Sequence, residues 1–225
     1  MDLLTFARGP ALVASATILV AGSLWRILWI FRHPASKDWS EPRSTATLAG
    51  AARTIFTRML PRRELHSGTR IAALNGYGYH IGLAIIVFGY LPHIAFVKRV
   101  LGIAWPALPN WVAYVAAGLA IISLLLALML RLSDPVLNLL SNFDDYFSWF
   151  VTMLPLVTGM VALGALGGHY PPENVSDEGI AAAVHLLSFE LLLIWLPFGK
   201  LSHAFLVFFS RAMTGAQFAR RGARA

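Results

Sequence analysis

The sequence contains no cysteine among its 225 residues. Disulfide bridges, cysteine-ligated iron–sulfur clusters and covalently attached c-type haem are therefore excluded for this chain on its own. Any metal that it binds must use histidine or oxygen ligands. The sequence also lacks a phosphate-binding glycine loop, an HExxH motif and an evident nucleophile with its base. It therefore offers no recognisable site for substrate chemistry.

Charge is scarce as well. Charged residues make up 13% of the chain and hydrophobic residues 57%, and the mean hydropathy is +0.65. So much apolar surface cannot be hidden in one soluble core of this size, and apolar runs of about 20 residues are typical of transmembrane helices. We predict one all-α integral membrane domain over residues 1–225, with five transmembrane helices. They lie at about residues 10–31, 77–97, 110–130, 146–167 and 181–209.

The basic residues predict the orientation of these helices. Eight arginines and lysines lie in the segment 32–70, and four arginines lie in the tail 211–225. By the positive-inside rule both segments are cytoplasmic, which puts the N-terminus outside and the C-terminus inside. We therefore predict a multi-pass protein of the inner (cytoplasmic) membrane. Within the first segment, Ala46–Leu60 has the composition of either an amphipathic helix on the inner membrane surface or a solvated basic linker.

Four histidines lie inside the apolar runs, where an imidazole is costly unless it is satisfied. His80 and His93 lie near the ends of the second run, and His185 and His203 near the ends of the fifth. The last two are 18 residues apart, which is five whole helical turns, so a continuous helix presents both on one face about 27 Å apart. Since the second helix runs the opposite way, we expect an inner pair, His80 with His203, and an outer pair, His93 with His185. Bis-imidazole ligation of two b-type haems fits this pattern best.

The outer pair depends on a distortion of the second helix. His80 and His93 are 13 residues apart, so an ideal helix would turn them about 140° away from each other. Pro92 can kink and rotate the last turn and bring His93 round. For each histidine taken alone, a buried imidazole bonded to a neighbouring helix is the alternative.

Two stretches carry a resemblance to a known family, namely YHIGLAIIVFGYLPH (Tyr79–His93) and VHLLSFELLLIWLPFGKLSH (Val184–His203). The chain resembles the gamma (cytochrome b) subunits of respiratory nitrate reductase. It is also similar to the related membrane cytochromes of sulfite-reductase-linked and heterodisulfide-reductase-type complexes. By this resemblance His80, His185 and His203 occupy haem-ligand positions.

Tyr90 departs from the family pattern, because it stands where the second helix of the family has its other histidine. Three outcomes are open at this point. Either His93 has taken over as ligand, or the outer haem is lost, or Tyr90 ligates the iron as tyrosinate does in catalase.

The resemblance implies a haem b-containing membrane anchor that transfers electrons between the quinone pool and a cytoplasmic iron–sulfur partner of a respiratory oxidoreductase complex. Tyr90 and Glu190 are the expected quinone-site residues. Lys200 and Arg131, with Arg70 as a further candidate, are expected to meet the haem propionates. We expect the partner to dock on the basic segment 32–70 and on the tail after Phe209.

Two other classes of protein compete with this interpretation. Intramembrane histidine and glutamate also serve proton relays in transporters, although the sequence has no evident inverted repeat. A structural anchor whose histidines only pack is the second alternative. His169 and Tyr170 in the outer loop are weaker candidates for a site. Asp144 and Asp145 are expected to cap a helix, with contact to a partner as the alternative.

Overall fold

The computed structural model of the chain describes residues 1–33, 38–60, 66–163 and 175–223, apart from the side chains of residues 66–68 and 175–178. Within these ranges the secondary structure is helical and contains no strand, as predicted. The helices are α1 (Leu3–Arg32, with a π-helical turn at Ala7–Ala11), α2 (Thr47–Thr57), α3 (His66–Gly89), α4 (Leu91–Leu101), α5 (Asn110–Ser133), α6 (Pro135–Leu139), α7 (Phe143–Ala162), α8 (Val175–Trp195), a 3₁₀ turn (Lys200–Ser202) and α9 (His203–Arg220).

Several of these helices are suited to a membrane. Among the described residues, α1, α3 from Thr69 onwards and α5 are long and apolar enough to cross one. The bent pair Gly179–Trp195 and Lys200–Arg220 makes a fourth candidate if it forms one span. The predicted span 146–167 corresponds to α7, and residues 164–167 lie outside the described residues. The chain thus has the character of a multi-pass membrane protein, while five spans and their orientation stay predictions.

Two predicted spans are interrupted. The second, 77–97, is divided at Tyr90 between α3 and α4, which agrees with the distortion expected at Pro92. The fifth, 181–209, ends as an α-helix at Trp195 and resumes only at His203, so the prediction of one continuous helix is wrong there. Pro197 explains the interruption, because its ring clashes with the carbonyl four residues earlier and it has no N–H to donate. The same-face argument for His185 and His203 therefore does not hold.

The chain forms two compact units. The first comprises Met1–Ala14 with Arg70–Leu192, and the second comprises Ser15–Thr69 with Leu193–Ala225. Each is described by itself.

The first unit is built around α3, α5 and α7. Its core consists of Ala120, Leu124, Met153 and Leu156, with Tyr79, Leu83, Ile86, Ile121 and Trp149 packed against it. Helices α3 and α5 come close at Gly82, where a Cβ would lie 2.8 Å from the carbonyl oxygen of Ala116. Nearby, the Asn75 amide donates to the carbonyl of Ser123 at 2.9 Å. Small residues at such a crossing and polar bonds between helices are typical of membrane helix packing.

Candidate functional site

The break between α3 and α4 is stabilised by the loop that follows α4. In a continuous helix the carbonyl of Phe88 would accept from residue 92, but Pro92 has no N–H. The indole Nε1 of Trp105 donates to the Phe88 carbonyl instead, at 2.5 Å. The backbone N–H of Leu108 donates to the carbonyl of Gly89 at 2.8 Å. Two carbonyls that the break deprives of helical partners are thus satisfied from residues 102–109, which makes the break a defined structure.

The break also fixes the ring of His93. Its Nδ1 donates to the carbonyl of Ile86 at 2.8 Å, across the interruption. A carbonyl can only accept, so in the neutral imidazole Nδ1 carries the proton and Nε2 has the lone pair. This is the tautomer in which a histidine ligates a metal through Nε2 while a backbone carbonyl orients it. The ring of Tyr90 meets that of His93 edge-on, with centroids 5.4 Å apart.

His185 is held by α7. Its Nδ1 lies 3.3 Å from the hydroxyl oxygen of Thr158. The hydroxyl has two other acceptors for its single proton, the carbonyl of Leu154 and Ser188 Oγ, each at 2.8 Å, which favours Nδ1 of His185 as the donor to Thr158. The imidazole lies on Gly159, where a Cβ would stand 3.1 Å from its Cε1. Any side chain at residue 159 would therefore push the ring away.

The structure brings His93 and His185 together. Their ring centroids are 6.1 Å apart and the ring planes are inclined by 20°. Two imidazoles that bind one metal ion from opposite sides, through bonds of about 2 Å each, have ring centroids roughly 6 Å apart. Within the described residues no group of three or more His, Asp or Glu side chains could hold a metal ion. The distance between the two centroids therefore matches that of two imidazoles on one metal ion, as in haem iron with bis-imidazole ligation.

The other two predicted ligands lie in different units. His80, on α3 of the first unit, donates from Nδ1 to the carbonyl of Gly76 at 2.7 Å. His203, the first residue of α9 in the second unit, donates from Nδ1 to the carbonyl of Lys200 at 2.9 Å. His33 makes the same kind of bond to Trp29, at 3.0 Å, so the bond alone does not identify a ligand. The pairing of His80 with His203 stays a prediction.

The two predicted quinone residues are both buried in the first unit. Tyr90 is 7% exposed and Glu190 is 3% exposed. Neither carboxyl oxygen of Glu190 has a hydrogen-bond partner among the described residues. Glu190 comes five positions after His185, so it lies about 140° away from His185 around α8. Glu190 therefore does not share the face that His185 presents to α7.

Of the predicted propionate partners, Arg131 already has a partner in the protein. It forms an ion pair with Asp145 at 2.9 Å and donates to Ser141 Oγ at 2.9 Å. Asp145 in turn completes a capping box with Asn142 at the start of α7, which confirms the expected capping. Lys200 is exposed in the 3₁₀ turn that precedes His203. Roles for Arg131 and Lys200 at a haem stay predictions, as does one for Arg70.

The prediction missed Arg26. Its guanidinium lies 3.5 Å from the Oγ of Ser202, the residue that precedes His203 in the chain. All three residues belong to the second unit. A signal was present in the sequence, because an arginine inside an apolar run is a functional candidate by default. His169 and Tyr170 lie outside the described residues.

Comparison with known proteins adds one relative. No family model matches the chain, and no solved structure matches it. A curated protein of Nitratidesulfovibrio vulgaris is 29% identical over an alignment that covers 96% of this chain and 94% of that protein. Its name, "Protein", states no function. The likeness runs over nearly the whole of both chains and assigns no role to either.

Proposed function

We propose that this chain is a haem b-containing membrane anchor subunit. It transfers electrons between the quinone pool and a cytoplasmic iron–sulfur partner in a respiratory oxidoreductase complex. The observation that carries the proposal is the pair His93 and His185, with centroids 6.1 Å apart and Nδ1 of each ring bonded to an oxygen acceptor. Both rings belong to the first unit, and each is bonded to a different helix, His93 to α3 and His185 to α7.

In this proposal His93 and His185 would hold the iron of the outer haem. Bound haem iron supplies one-electron exchange at a potential that the ligands and their surroundings tune. The Ile86 carbonyl and the Thr158 hydroxyl hold the two rings in the ligating tautomer, so the chain contributes ligand orientation. Tyr90 then packs beside a ligand and does not act as one. A second, inner haem on His80 and His203 is proposed from the sequence pattern alone.

Glu190 and Tyr90 are the proposed quinone residues. Oxidation of a quinol releases two protons with its two electrons, so a carboxylate that can accept a proton is needed near the site. A buried carboxyl group without a hydrogen-bond partner is costly as an anion. Once Glu190 has passed on its own proton, its buried carboxylate is therefore suited to take up a proton from a quinol.

The same carboxyl group is the observation that favours a second candidate, a proton-coupled transporter, because buried acidic groups in membrane helices also mark proton paths. A haem-free structural anchor is the third possibility. The absorption spectrum of the purified protein separates the three. Reduced b-type bands support the cytochrome, and a colourless protein contradicts it.

The ligand assignment is tested by the haem-to-protein ratio. We expect roughly two haems per wild-type chain and about one in His93→Ala and in His185→Ala, because each outer ligand is half of one bis-imidazole site. His33→Ala is the matched control, since its ring makes a similar carbonyl bond outside the proposed pairs. Full haem content in His203→Ala contradicts the inner pair. A wild-type ratio of one that His93→Ala leaves unchanged shows that the outer haem is absent.

A further inference from the structure

Helices α2 and α9 of the second unit cross at two glycines. A Cβ on Gly50 would lie 2.7 Å from the carbonyl oxygen of Gly215. Thr54, one turn further along α2, is 3% exposed and donates from its hydroxyl to the carbonyl of Gly50 at 2.8 Å. The two backbones can approach this closely only because small residues line the crossing. The inward face of α2 is therefore made of small residues.

Large apolar residues lie on the opposite, outward side of α2. Leu48, Ala52 and Phe56 follow one another at four-residue spacing, so they share a face. Leu48 is 82% exposed and Phe56 is 75% exposed. In a helix pair in water, large apolar side chains pack inward, whereas here they lie on the outside. An exposed apolar patch of this kind marks an interaction surface.

Contacts within the second unit locate α9 at the end of a membrane span. The candidate span α1 ends at Arg32. The ring of Phe31 meets that of Phe209 edge-on, with centroids 6.3 Å apart. Near the start of α9, Ser202 lies beside Arg26. The start of α9 therefore lies beside the last two turns of α1, at the depth where a spanning helix leaves the hydrocarbon.

The charge of this region suits an anionic partner. The described segments 38–60 and 203–223 contain six arginines and two carboxylates, an excess of four positive charges. The arginines are Arg43, Arg53, Arg58, Arg211, Arg220 and Arg221. Basic residues next to a membrane span are attracted to the anionic lipids of the cytoplasmic leaflet.

From these observations we infer that α2 and α9 form an interfacial platform on the membrane. The outward face of α2, with Leu48, Ala52 and Phe56, lies at the boundary between headgroups and acyl chains. Arg53 and Arg58 bind the phosphates of anionic lipids. An amphipathic pair of helices in this position is held by apolar burial and by charge together. The inference does not depend on whether the chain binds haem.

The absence of cysteine allows a direct test on the full-length protein. A spin label is attached to Phe56→Cys in protein reconstituted into vesicles of phosphatidylcholine with phosphatidylglycerol. Collision rates are then measured with oxygen, which concentrates in lipid, and with a water-soluble nickel chelate. The matched control is a label on Thr57→Cys, the adjacent exposed position, which is turned by about 100° round the helix. We expect the label at residue 56 to favour oxygen several-fold and the label at residue 57 to favour nickel.

Two results would overturn the inference. Equal nickel access at residues 56 and 57 means that the face is in water. Shielding of residue 56 from both reagents means that protein covers it, either a partner subunit or a second copy of the chain. The role of charge is tested with Arg53→Gln and Arg58→Gln together in the Phe56→Cys protein. Phosphatidylglycerol should deepen the label in the parent and not in the charge variant, and an equal response in both contradicts binding of anionic lipid by these arginines.

Discussion

Two helical segments of this protein are interrupted close to a proline that precedes a histidine. The first interruption is at Tyr90, before Pro92 and His93. The second follows Trp195 and contains Pro197, and the α-helix resumes at His203. The first break is one residue long, whereas seven residues separate the two α-helices at the second.

The difference lies in what replaces the lost helical bonds. At the first break, donors from the following loop, Trp105 and Leu108, bond to the orphaned carbonyls, so the helix can restart at once. At the second break the chain forms a local turn, in which the amides of Phe198 and Gly199 both donate to the carbonyl of Trp195, at 3.0 and 3.1 Å. Helix α7 passes through Pro155 without a break, so a proline alone does not interrupt a helix. At the two breaks it removes an N–H, and the donors available nearby differ in how soon the helix restarts.

The largest expected change in the free energy of unfolding comes from substituting the glycines that pack at the two breaks. A Cβ on Gly22 of α1 would lie 2.9 Å from Cγ of Pro197, whose ring is rigid and fully buried. A Cβ on Gly89 would lie 2.7 Å from Cδ1 of Leu108, the end of a flexible side chain. We expect Gly22→Ala to lower the free energy of unfolding by about 1–3 kcal/mol through overpacking, and Gly89→Ala to lower it by less. Thermal unfolding of the detergent-solubilised protein measures both.

Gly118→Ala is the control for that measurement. Nothing lies within 4 Å of a Cβ at this position on α5, so alanine should be neutral or stabilising through its higher helix propensity. A larger loss in Gly89→Ala than in Gly22→Ala would show that the first break is the more rigid of the two.

A smaller effect is expected when the first break loses one donor. Trp105→Phe keeps an aromatic ring and removes the N–H that bonds to Phe88, which should cost about 1 kcal/mol in the free energy of unfolding. Trp111→Phe is the matched control, because Trp111 is 67% exposed at the start of α5. If the two variants lose the same stability, the indole bond does not support the break.

The smallest effect is a pH dependence of stability expected from Asp38 in the second unit. Hydrogen bonds from the side chain and backbone of Ser40, and then the Arg221 guanidinium, lower the pKa of Asp38 from 3.8 to about 2. Because the pKa of Asp38 is lower in the folded chain than in the unfolded chain, its carboxylate stabilises the fold. This contribution to the free energy of unfolding is complete above pH 3.8 and is lost as the pH falls through about 2. These bonds tie the loop before α2 to the end of α9. Asp38→Asn should therefore be less stable than wild type at about pH 5, and the difference should shrink as the pH falls below about 4.

The first break provides the comparison for this titration. Its bonds join neutral groups, so the stability difference between wild type and Trp105→Phe should stay constant over the same pH range. A constant difference for Asp38→Asn as well would show that its carboxylate does not stabilise the folded chain.

Part of the candidate site could be predicted from the sequence. His93 and His185 were expected as neighbours on the assumption that Pro92 turns His93 round, and the structure places their rings 6.1 Å apart. The donors that hold the turn, Trp105 and Leu108, could not be read from the pattern, because they lie in a loop whose sequence has no periodicity. Likewise Arg26 was recognisable as unusual, but its contact with Ser202 depends on how two distant segments pack.

The sequence by itself determined the helical class, the apolar character of the spans and the prolines at which a helix can break. These are local properties, since hydropathy and the missing N–H of proline act within a few residues of the chain. Only the tertiary structure decided which carbonyls find new donors, that His203 begins a separate helix after Pro197, and that the small face of α2 meets α9. These outcomes depend on contacts between residues far apart in the chain, and their geometry is set by packing that no local pattern contains.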